Sequence, residues 1–339
     1  RVFVWANWRQ KMSSHLTRRR FISVLGASSA MCALPGGAAT KIESVIWSGQ
    51  ALGADADIKI LHPDPAHAQS VLKACVAEVR RLEQIFSLFD PASAINRLNT
   101  DGTLEEAPAD MVHLLGFANE IAAASNGAFD VTVQPLWALY ANHFATNPKP
   151  VNGPSTEQIA AARALVGWQN LEVTLDRVSL TQKGMGITVN GIAQGYITDR
   201  VSDLLRENGI DDVLVNMGEY RGLGLGREGR PWRIGIKDPF NPAALTARQD
   251  VRNQAVSTSG GYGTTFDAKG HFHHLFDPRT GRPVNRWASV TVVAPTATLA
   301  DALSTAVMAM PNDETKRLLQ DSNVDAALLI APDGNKTRL

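Results

Sequence analysis

Apolar residues return every three or four positions in several long stretches of the chain, which is the spacing of one face of a helix. This pattern predicts an amphipathic helix over residues 66–86 and another over residues 110–125, where Asn126-Gly127 is a C-cap signal. Further helices are predicted over residues 195–208, 299–310 and 313–322. Several of these helices are long enough to cover a sheet.

Shorter runs of alternating or continuous apolar residues, bounded by Gly, Pro, Asn or Asp, predict strands. Two strands are predicted within residues 43–60, and a buried strand at residues 130–133 is predicted to follow the Asn126-Gly127 cap. The other predicted strands are residues 171–181, 186–189, 213–217, 232–236, 255–258, 273–276, 289–293 and 326–330. Residues 147–155, rich in Pro, Asn and Gly, are predicted to form a loop. Helices and strands mix without a regular βαβ repeat, so the predicted fold class is α+β.

Length and charge exclude some classes of function. The chain has 339 residues, with 33 Lys and Arg against 33 Asp and Glu, and it shows no basic stripe. We therefore predict no nucleic-acid partner. Of the two cysteines, Cys75 lies on the apolar face of the first predicted helix and is expected in the core, so no disulfide framework is predicted.

Residues 1–39 have the pattern of an export signal. The basic segment Arg18-Arg19-Arg20 precedes an apolar run over residues 24–34, and small residues follow up to Ala39. Paired arginines in this setting predict a twin-arginine signal that is cleaved near Ala39. The expected location of the mature protein is therefore the periplasm.

Met12 is the expected initiator of this signal, which makes residues 1–11 upstream read-through. An uncleaved membrane anchor is the alternative interpretation, although the apolar run is too short to span a bilayer. The folded domain is predicted to occupy residues 40–339.

Asp301 and Thr305 lie four positions apart on a predicted helix, so their side-chain oxygens share one face and can reach one point. Such an oxygen pair suits a hard cation such as Mg2+, which is completed by water and a substrate phosphate. The alternative is an ordinary solvated face of an Ala-rich helix.

A second cluster, residues 190–196, ends one predicted strand and begins a helix with Gly191 and Gly195 at the junction. Glycines allow close backbone approach, and a helix N-terminus can hold phosphate. An ordinary strand–helix turn is the alternative. The literal dinucleotide pattern at residues 224–229 is rejected, because a strand rather than a helix follows it. We interpret that pattern as a hairpin turn.

Two further clusters contain aromatic residues. Phe89, within residues 86–99, is a candidate stacking surface for a planar ligand. Phe129 and Asp130 follow the Asn126-Gly127 cap. For this pair the alternative is that Phe129 packs in the core and Asp130 is satisfied by local hydrogen bonds.

In this order and spacing, the clusters resemble the ApbE family of periplasmic FAD:protein FMN transferases, from about residue 47 to the C-terminus. The motifs that carry the resemblance are H-x-x-D-P-R-T-G-x-P at residues 274–283, Thr258-Ser259-Gly260, and residues 128–135, 191–196 and 294–305. The chain departs from the family pattern at Thr188, Asn190 and Gln194, where the family usually has an acidic residue, a glycine and a lysine. Phe89 and Leu52 stand where the family usually has tyrosine and methionine.

The resemblance implies mixed sheets flanked by helices, in two intertwined subdomains with the site between them. It also implies that the protein is an Mg2+-dependent enzyme. The enzyme transfers FMN from FAD to a threonine hydroxyl of a target flavoprotein, forms a phosphoester and releases AMP. The implied ligands of Mg2+ are Asp301, Thr305 and the main-chain oxygen of Ala193. The implied neighbours of FAD are Leu52, Phe89, Ala128, Phe129, Asp130, Asn190, Gln194 and Phe276.

His274 is the candidate base for the acceptor hydroxyl, because imidazole titrates near neutrality and can accept a proton. On this hypothesis the rate falls below about pH 6.5, the ordinary pKa of histidine. The alternative role for His274 is a ligand contact or a structural position. His271 and His273 are expected to be exposed, and strand alternation is expected to point His273 away from His274.

Two other functions use the same residues. An Mg2+-dependent FAD pyrophosphatase would release free FMN and AMP, and a non-enzymatic periplasmic carrier would bind FAD and leave it intact. For a transferase, the resemblance implies a membrane flavoprotein subunit of the Rnf type, the Nqr type (sodium-pumping NADH:quinone oxidoreductase) or the NosR type as the target. The departure from the family pattern over residues 190–194 and the twin-arginine signal favour the NosR type.

Overall fold

A computed structural model describes residues 43–146 and 152–339. The predicted export signal and part of the predicted loop at residues 147–155 lie outside the described residues. The helices of the described part are α1 (Pro65–Phe86), α2 (Ala94–Asp101), α3 (Ala109–Ala124), α4 (Gln134–Thr146), α5 (Thr156–Arg163), α6 (Ala193–Glu207), α7 (Ala297–Met308) and α8 (Asn312–Asp321). Among these helices, none is long and apolar enough to cross a membrane.

Fifteen strands accompany the helices in the described ranges. They are β1 (Glu43–Ala51), β2 (Ala54–His62), β3 (Thr103–Glu105), β4 (Leu171–Val173), β5 (Arg177–Leu180), β6 (Asp212–Asn216), β7 (Tyr220–Leu223), β8 (Trp232–Lys237), β9 (Leu245–Val251), β10 (Gln254–Ser259), β11 (Phe276–Asp277), β12 (Arg282–Pro283), β13 (Ser289–Ala294), β14 (Ala326–Ile330) and β15 (Lys336–Arg338). Eight of them form one antiparallel sheet in the order β1-β2-β6-β7-β10-β13-β14-β15. The smaller sheets are β3-β5-β4, β8-β9 and β11-β12. The mixture of helices and antiparallel sheets confirms the predicted α+β class.

The β1–β2 hairpin turns through Leu52 and Gly53, whose φ angles of 48° and 84° are both positive. Two positive φ angles are the mark of the tight turn that matches the twist of paired strands. Leucine is unusual in this conformation. The Leu52 N–H donates to the Glu83 carboxylate on α1 at 2.9 Å, and this bond holds the hairpin tip against the helix.

Helix α1 forms as predicted, because its apolar positions share one face and its first turn is capped. The Asp64 carboxylate accepts from the N–H groups of Ala66 and His67, both at 3.0 Å. Val71, Cys75, Val79 and Leu82 are buried on the inner face. Cys75 is a free thiol in the core, as expected, and burial raises its pKa to about 12.

Helix α7 lies across the middle of the large sheet, against β10 and β13. The Thr296 hydroxyl caps its N-terminus by accepting from the Leu299 N–H. Every residue of β13 is buried, because both faces of the strand are covered. Helix α6 packs beside α7.

A separate aromatic cluster holds the segment that precedes β11. Tyr140 of α4 packs against Phe266, Phe272 and Phe276, with ring centroids 5.0–6.3 Å apart. Ile159 of α5 completes the buried centre of this cluster. These contacts fix a segment that has little regular secondary structure of its own.

Two predicted strands are wrong. Residues 130–133 form a 3-10 turn, Val131–Val133, that leads into α4, because the Asp130 carboxylate caps the turn. Residues 186–189 have no strand partner. The Asn99 side chain donates to Ile187 O at 2.9 Å and accepts from Ile187 N at 2.6 Å. A short apolar run does not reveal which group will satisfy its backbone.

Other predicted strands lie at the predicted positions, but they differ from the prediction in length or in the sheet to which they belong. Predicted strand 171–181 is the hairpin β4–β5, and predicted strand 232–236 is β8, which pairs with β9 outside the large sheet. Predicted strand 273–276 is reduced to an isolated bridge at His273 and the short β11. The turn at residues 224–229 joins β7 and β8, which do not pair, so it is not a hairpin turn. Strand β8, and not a helix, follows that turn. This agrees with our rejection of the dinucleotide-binding pattern.

Candidate functional site

A cavity of about 320 Å³ lies where α6, α7, β10 and the segments before α4 and β11 meet. Nine of the twelve predicted site residues line it, and they come from distant parts of the sequence. They are Ala128, Phe129, Asp130, Asn190, Gln194, His274, Phe276, Asp301 and Thr305. A second, more open depression of about 520 Å³ around Asp277 and Arg286 contains none of them. The cavity is therefore the candidate active site.

Leu52, Phe89 and Ala193 do not line this cavity. Leu52 lies at the tip of the β1–β2 hairpin, and a Cβ added to the adjacent Gly53 would come within 3.8 Å of the half-exposed Phe89 ring. Ala54, the next residue, does line the cavity. Leu52 and Phe89 thus form an apolar rim beside it. Ala193 is fully buried at the start of α6.

Asp301 and Thr305 project from one face of α7 into the cavity, as their spacing predicted. Asp301 is 4 % exposed, and its Oδ2 accepts from the Gly195 N–H at 3.0 Å. A Cβ on Gly195 would clash with Ala297 O and come within 2.8 Å of Asp301 Cβ. Glycine is therefore required for the close approach of α6 to α7. The Gly195 N–H, which the sequence offered as a phosphate contact, is bonded to Asp301 instead.

A buried ion pair fixes how these two helices dock. The Asp199 carboxylate on α6 accepts from the N–H groups of Ala297 and Thr298, both at 2.8 Å, at the N-terminus of α7. Arg221 on β7 donates to the same carboxylate at 2.9 Å. Asp199 was not predicted as a site residue, because its partners lie far away along the chain. Local spacing contained no signal for it.

Glu219 is a second missed carboxylate, in the turn between β6 and β7. It lines the cavity and is 9 % exposed, and Thr258 N donates to its Oε2 at 3.3 Å. Burial, and then the charge of Asp301, raise the pKa of Glu219 well above its usual value. Burial also raises the pKa of Asp301, against the lowering effect of the Gly195 N–H bond. Two buried carboxylates therefore repel one another within the site.

This donor set fits a magnesium ion. Among residues 43–146 and 152–339, no group of three or more His, Cys, Asp or Glu side chains is placed to hold a metal. Two of the predicted ligands, the Asp301 carboxylate and the Thr305 hydroxyl, line the cavity, whereas the third, the main-chain oxygen of Ala193, belongs to a buried residue that does not. Hard oxygen donors are what Mg2+ takes, with water and phosphate in the remaining positions. A divalent cation would also relieve the repulsion between Asp301 and Glu219.

His274 also lines the cavity, and two contacts to one carbonyl orient it. Its backbone N–H and its Nδ1 both reach Thr264 O, each at 3.1 Å. A carbonyl only accepts, so Nδ1 carries the ring proton and Nε2 is left as a proton acceptor. Nε2 lies on the ring edge beside Gly263, which also lines the cavity.

The pKa of His274 is lowered to about 4, chiefly by burial; the bond to Thr264 opposes this shift, and the neighbouring His273 adds a smaller lowering effect. The ordinary value of about 6.5 assumed from sequence is therefore wrong for this position. The neutral, proton-accepting form persists well below neutral pH.

The expectation that His273 is exposed is also wrong. His273 is 3 % exposed, and its Nε2 donates to Val284 O at 2.7 Å. The two rings lie 6.3 Å apart, tilted edge to face. An isolated bridge to Thr265 turns His273 into the core, which strand alternation alone did not reveal. His271 is exposed, as expected.

Asp130 and Gln194 take structural positions in the cavity wall. Asp130 accepts from Thr132 N, Thr132 Oγ1 and Trp168 N at 2.6–3.0 Å, as the alternative interpretation of local satisfaction expected. Gln194 packs so closely on Gly218 that a Cβ there would come within 2.6 Å of its amide carbon. Gly218 also has a φ of 105°, so glycine is required twice over at that turn.

Several other lining residues were not assigned roles from the sequence. They include Thr258, Ser259 and Gly260, which form one of the family motifs, together with Tyr262 and Trp137. Tyr262 is 48 % exposed at the cavity mouth. The motif Thr258-Ser259-Gly260 was the available signal, because small polar residues at a strand end often approach a ligand.

Comparisons with known proteins agree with this geometry. The model of the ApbE family matches residues 52–329. An FAD:protein FMN transferase from Escherichia coli is 32 % identical over 263 residues, covering 75 % of this chain and 74 % of that protein. The structure of the flavin transferase ApbE from Vibrio cholerae superposes with a TM-score of 0.75 at 28 % identity, covering 88 % of this chain and 97 % of that one.

A structure of the ApbE protein from Thermotoga maritima gives a TM-score of 0.76 at 28 % identity, over 87 % of this chain and 97 % of that one. Family model, sequence relatives and solved structures thus agree over nearly all of the described residues. On these grounds the chain belongs to the ApbE family.

Proposed function

We infer that this chain is an FAD:protein FMN transferase, which moves FMN from FAD to a threonine hydroxyl of a target protein and releases AMP. The observation that carries this inference is the single cavity into which Asp301, Thr305 and His274 all project. Residues suited to a phosphate-bound cation and a proton acceptor thus face one space, in a chain whose relatives are FAD:protein FMN transferases.

In the transfer, the acceptor threonine oxygen forms a new bond to the phosphorus of the FMN half of FAD. The bond from that phosphorus to the bridging pyrophosphate oxygen breaks, and AMP leaves with the bonding electrons. The hydroxyl proton must leave as the new bond forms, and Nε2 of His274 is the acceptor. The Thr264 carbonyl keeps the His274 ring in the tautomer that can accept it.

Magnesium, when bound, would neutralise charge on the pyrophosphate and favour departure of AMP. Asp301 and Thr305, with the main-chain oxygen of Ala193, are the residues that would hold it. Asp301 is prepared for this because the Gly195 N–H orients its carboxylate. The Asp199–Arg221 pair keeps α7 in place relative to α6.

The apolar rim of Leu52 and Phe89 would support the isoalloxazine ring, and the cavity would receive the rest of FAD. Phe89 offers a half-exposed aromatic face beside the cavity. Phe276 and Phe129 add buried apolar surface inside it. Aromatic stacking and apolar burial are the interactions that most stabilise a bound planar flavin ring.

We propose that the protein acts in the periplasm on a membrane flavoprotein subunit. The paired arginines and the following apolar run, both within residues 1–39, support export by the twin-arginine route. Replacing Arg18 and Arg19 with lysine should leave unprocessed precursor in the cytoplasm. Normal export of that double variant would point to the general secretory route or to an uncleaved anchor.

One experiment separates transfer from the two alternative functions. The purified protein is incubated with FAD, Mg2+ and a Rnf-, Nqr- or NosR-type target fragment, alongside a fragment whose acceptor threonine is replaced by alanine. Transfer predicts flavin covalently bound to the first fragment alone, with AMP released in equal amount. Free FMN with AMP and no labelled protein would establish a pyrophosphatase, and intact FAD would establish a carrier.

A further inference from the structure

A chain of hydroxyl groups runs from the cavity wall into the core behind Thr305. Thr305 Oγ1 lies 3.2 Å from Ser259 Oγ, and Ser259 Oγ lies 2.7 Å from Ser304 Oγ. Ser304 Oγ in turn donates to the main-chain oxygen of Asp301 at 3.0 Å. Ser304 is fully buried, whereas Ser259 and Thr305 line the cavity.

The contact at the far end of this chain favours one direction for the bonds in it. A carbonyl oxygen only accepts, so the single Ser304 proton points at Asp301 O. Ser304 must then accept from Ser259, and Ser259, having given its one proton to Ser304, must accept from Thr305. In this direction each hydroxyl donates away from the cavity.

A side branch does not change this direction. Ser257 Oγ lies 3.2 Å from Ser304 Oγ and also donates to the Glu219 carboxylate. If Ser304 gives its proton to Ser257 instead of Asp301 O, it still accepts from Ser259. Either route leaves the Thr305 proton on the side of Ser259.

We propose that Ser259 is a positioning residue that turns the Thr305 hydroxyl proton away from the cavity, so that the oxygen lone pairs face the magnesium site. A hydroxyl ligates a cation through its lone pairs, and a proton directed into the cavity would oppose the ion instead. The inference rests on the proposed magnesium site of Asp301 and Thr305. It adds a role for the middle residue of the Thr258-Ser259-Gly260 motif.

The reverse direction would have a different chemical meaning. If Ser304 donated to Ser259, and Ser259 to Thr305, the Thr305 proton would point into the cavity and donate to a phosphate oxygen. Ser259 would then affect the binding of phosphate and not the binding of a cation. Magnesium affinity in the absence of FAD therefore separates the two directions.

The test is a set of calorimetric Mg2+ titrations without FAD, on the full protein and on Ser259→Ala, Thr305→Val and the double variant. We expect Ser259→Ala to weaken Mg2+ binding about ten- to a hundredfold, the usual cost of losing a group that orients a ligand. In the Thr305→Val background the same change should have little further effect, because Ser259 acts through Thr305. Ser259→Thr, which keeps the hydroxyl, should restore most of the affinity.

A second variant tests the direction itself. Ser304→Ala keeps both the Ser259 and Thr305 hydroxyls but removes the group that obliges Ser259 to donate inward. Mg2+ affinity should fall here as well. The matched control is Thr291→Val, which removes a buried hydroxyl that bonds Thr258 at 2.8 Å on the neighbouring strand and should leave Mg2+ affinity unchanged.

Activity adds a readout that a merely structural role would not give. Raising Mg2+ should recover the transfer rate of Ser259→Ala while its FAD KM stays at the wild-type value. Unchanged Mg2+ affinity in Ser259→Ala, or an equal loss in both backgrounds, would overturn the inference and leave the transferase function standing. Failure of the wild-type protein to bind Mg2+ at all would overturn both the inference and the proposed magnesium site.

Discussion

Two parts of the cavity wall are built in opposite ways. We call one part the helical wall; it consists of Gly191, Gln194, Asp301 and Thr305. These residues belong to α7, to the first turn of α6 and to the segment before α6. Buried charges fix both helices. The loop wall, formed by Gly260, Tyr262, Gly263 and His274, lies in a segment with little regular structure. Within it, His274 is oriented mainly by backbone contacts to Thr264.

The difference suggests a division of labour. Charges that must stabilise a pyrophosphate need fixed positions, because a preorganised site has no reorganisation cost at the moment of reaction. The loop wall exposes more surface, and Tyr262 is 48 % exposed there. We therefore expect substitutions in the helical wall to affect metal binding and stability. Substitutions in the loop wall should affect the proton transfer.

The largest effect is expected from the helical wall. Asp301→Asn keeps an acceptor for the Gly195 N–H but removes the charge, and it should lower transfer about a thousandfold or more, since a bound cation contributes several kcal/mol to the transition state. Transfer is measured across a range of Mg2+ concentrations. Asp313→Asn, at an exposed position on α8, is the control. Wild-type rates for Asp301→Asn at limiting Mg2+ would contradict the assignment.

A substitution in the loop wall should lower the rate of transfer without changing FAD affinity or stability. His274→Asn removes the proton acceptor, and a positioned base typically contributes about a hundred- to ten-thousandfold. Transfer to the target fragment should fall by that order, while FAD affinity and the unfolding midpoint stay near wild type. His271→Asn, an exposed neighbour, should do nothing. If His274→Asn instead keeps its turnover and loses FAD affinity, His274 is a cofactor contact.

The docking of the helical wall can be tested through stability. Asp199→Asn leaves the Arg221 guanidinium without its nearest carboxylate in a buried setting, and breaking such a pair costs about 3–5 kcal/mol. Urea unfolding should detect that loss of free energy. Asp250→Asn breaks the exposed pair with Arg233, and its effect on the free energy of unfolding should be much smaller, because solvent screens exposed charges. Equal losses in the two variants would mean that Asp199 does not anchor α7.

A smaller effect is expected at the apolar rim, outside both walls. Phe89→Leu removes the aromatic face, and aromatic stacking is worth about 0.5–1.5 kcal/mol, so the KM for FAD should rise up to about tenfold with kcat nearly unchanged. Phe240→Leu is the control, because Phe240 is similarly exposed in the β8–β9 connection. A loss of kcat without a change in KM would place the flavin elsewhere.

The pH dependence is the smallest expected effect, and it corrects the expectation of a falling rate below about pH 6.5. Because burial lowers the pKa of His274 to about 4, its base form is present from pH 8 down to about pH 5. The His274 contribution to kcat/KM, which reports the free enzyme, should therefore stay flat over that range. A decline centred near pH 6.5 that disappears in His274→Asn would show that the site is more hydrated than the structure indicates.

Folding stability responds to the same group with a definite sign. The unfolded chain binds a proton to His274 near pH 6.5, whereas the folded protein does so only near pH 4. The contribution of this group to the stability is therefore full above pH 6.5 and declines as the pH falls towards 4.

The sequence alone determined five of the eight helices of the described residues, most strands of the large sheet and the pairing of Asp301 with Thr305, whereas α2, α4 and α5 were not predicted. Each of the predicted features depends on spacing along the chain. Helix α1 and strand β14 lie where periodicity predicted them. The sequence also indicated that residues 191 and 195 lie at a close backbone contact, because few residue types other than glycine fit such a contact.

Tertiary structure decided the rest, because burial and through-space charge depend on which distant segments meet. It made residues 130–133 a capped turn and paired the backbone of Ile187 with a side chain. It brought Asp199 to the N-terminus of α7 and Glu219 next to Asp301. It also lowered the pKa of His274 through desolvation, which no local pattern of residues expresses.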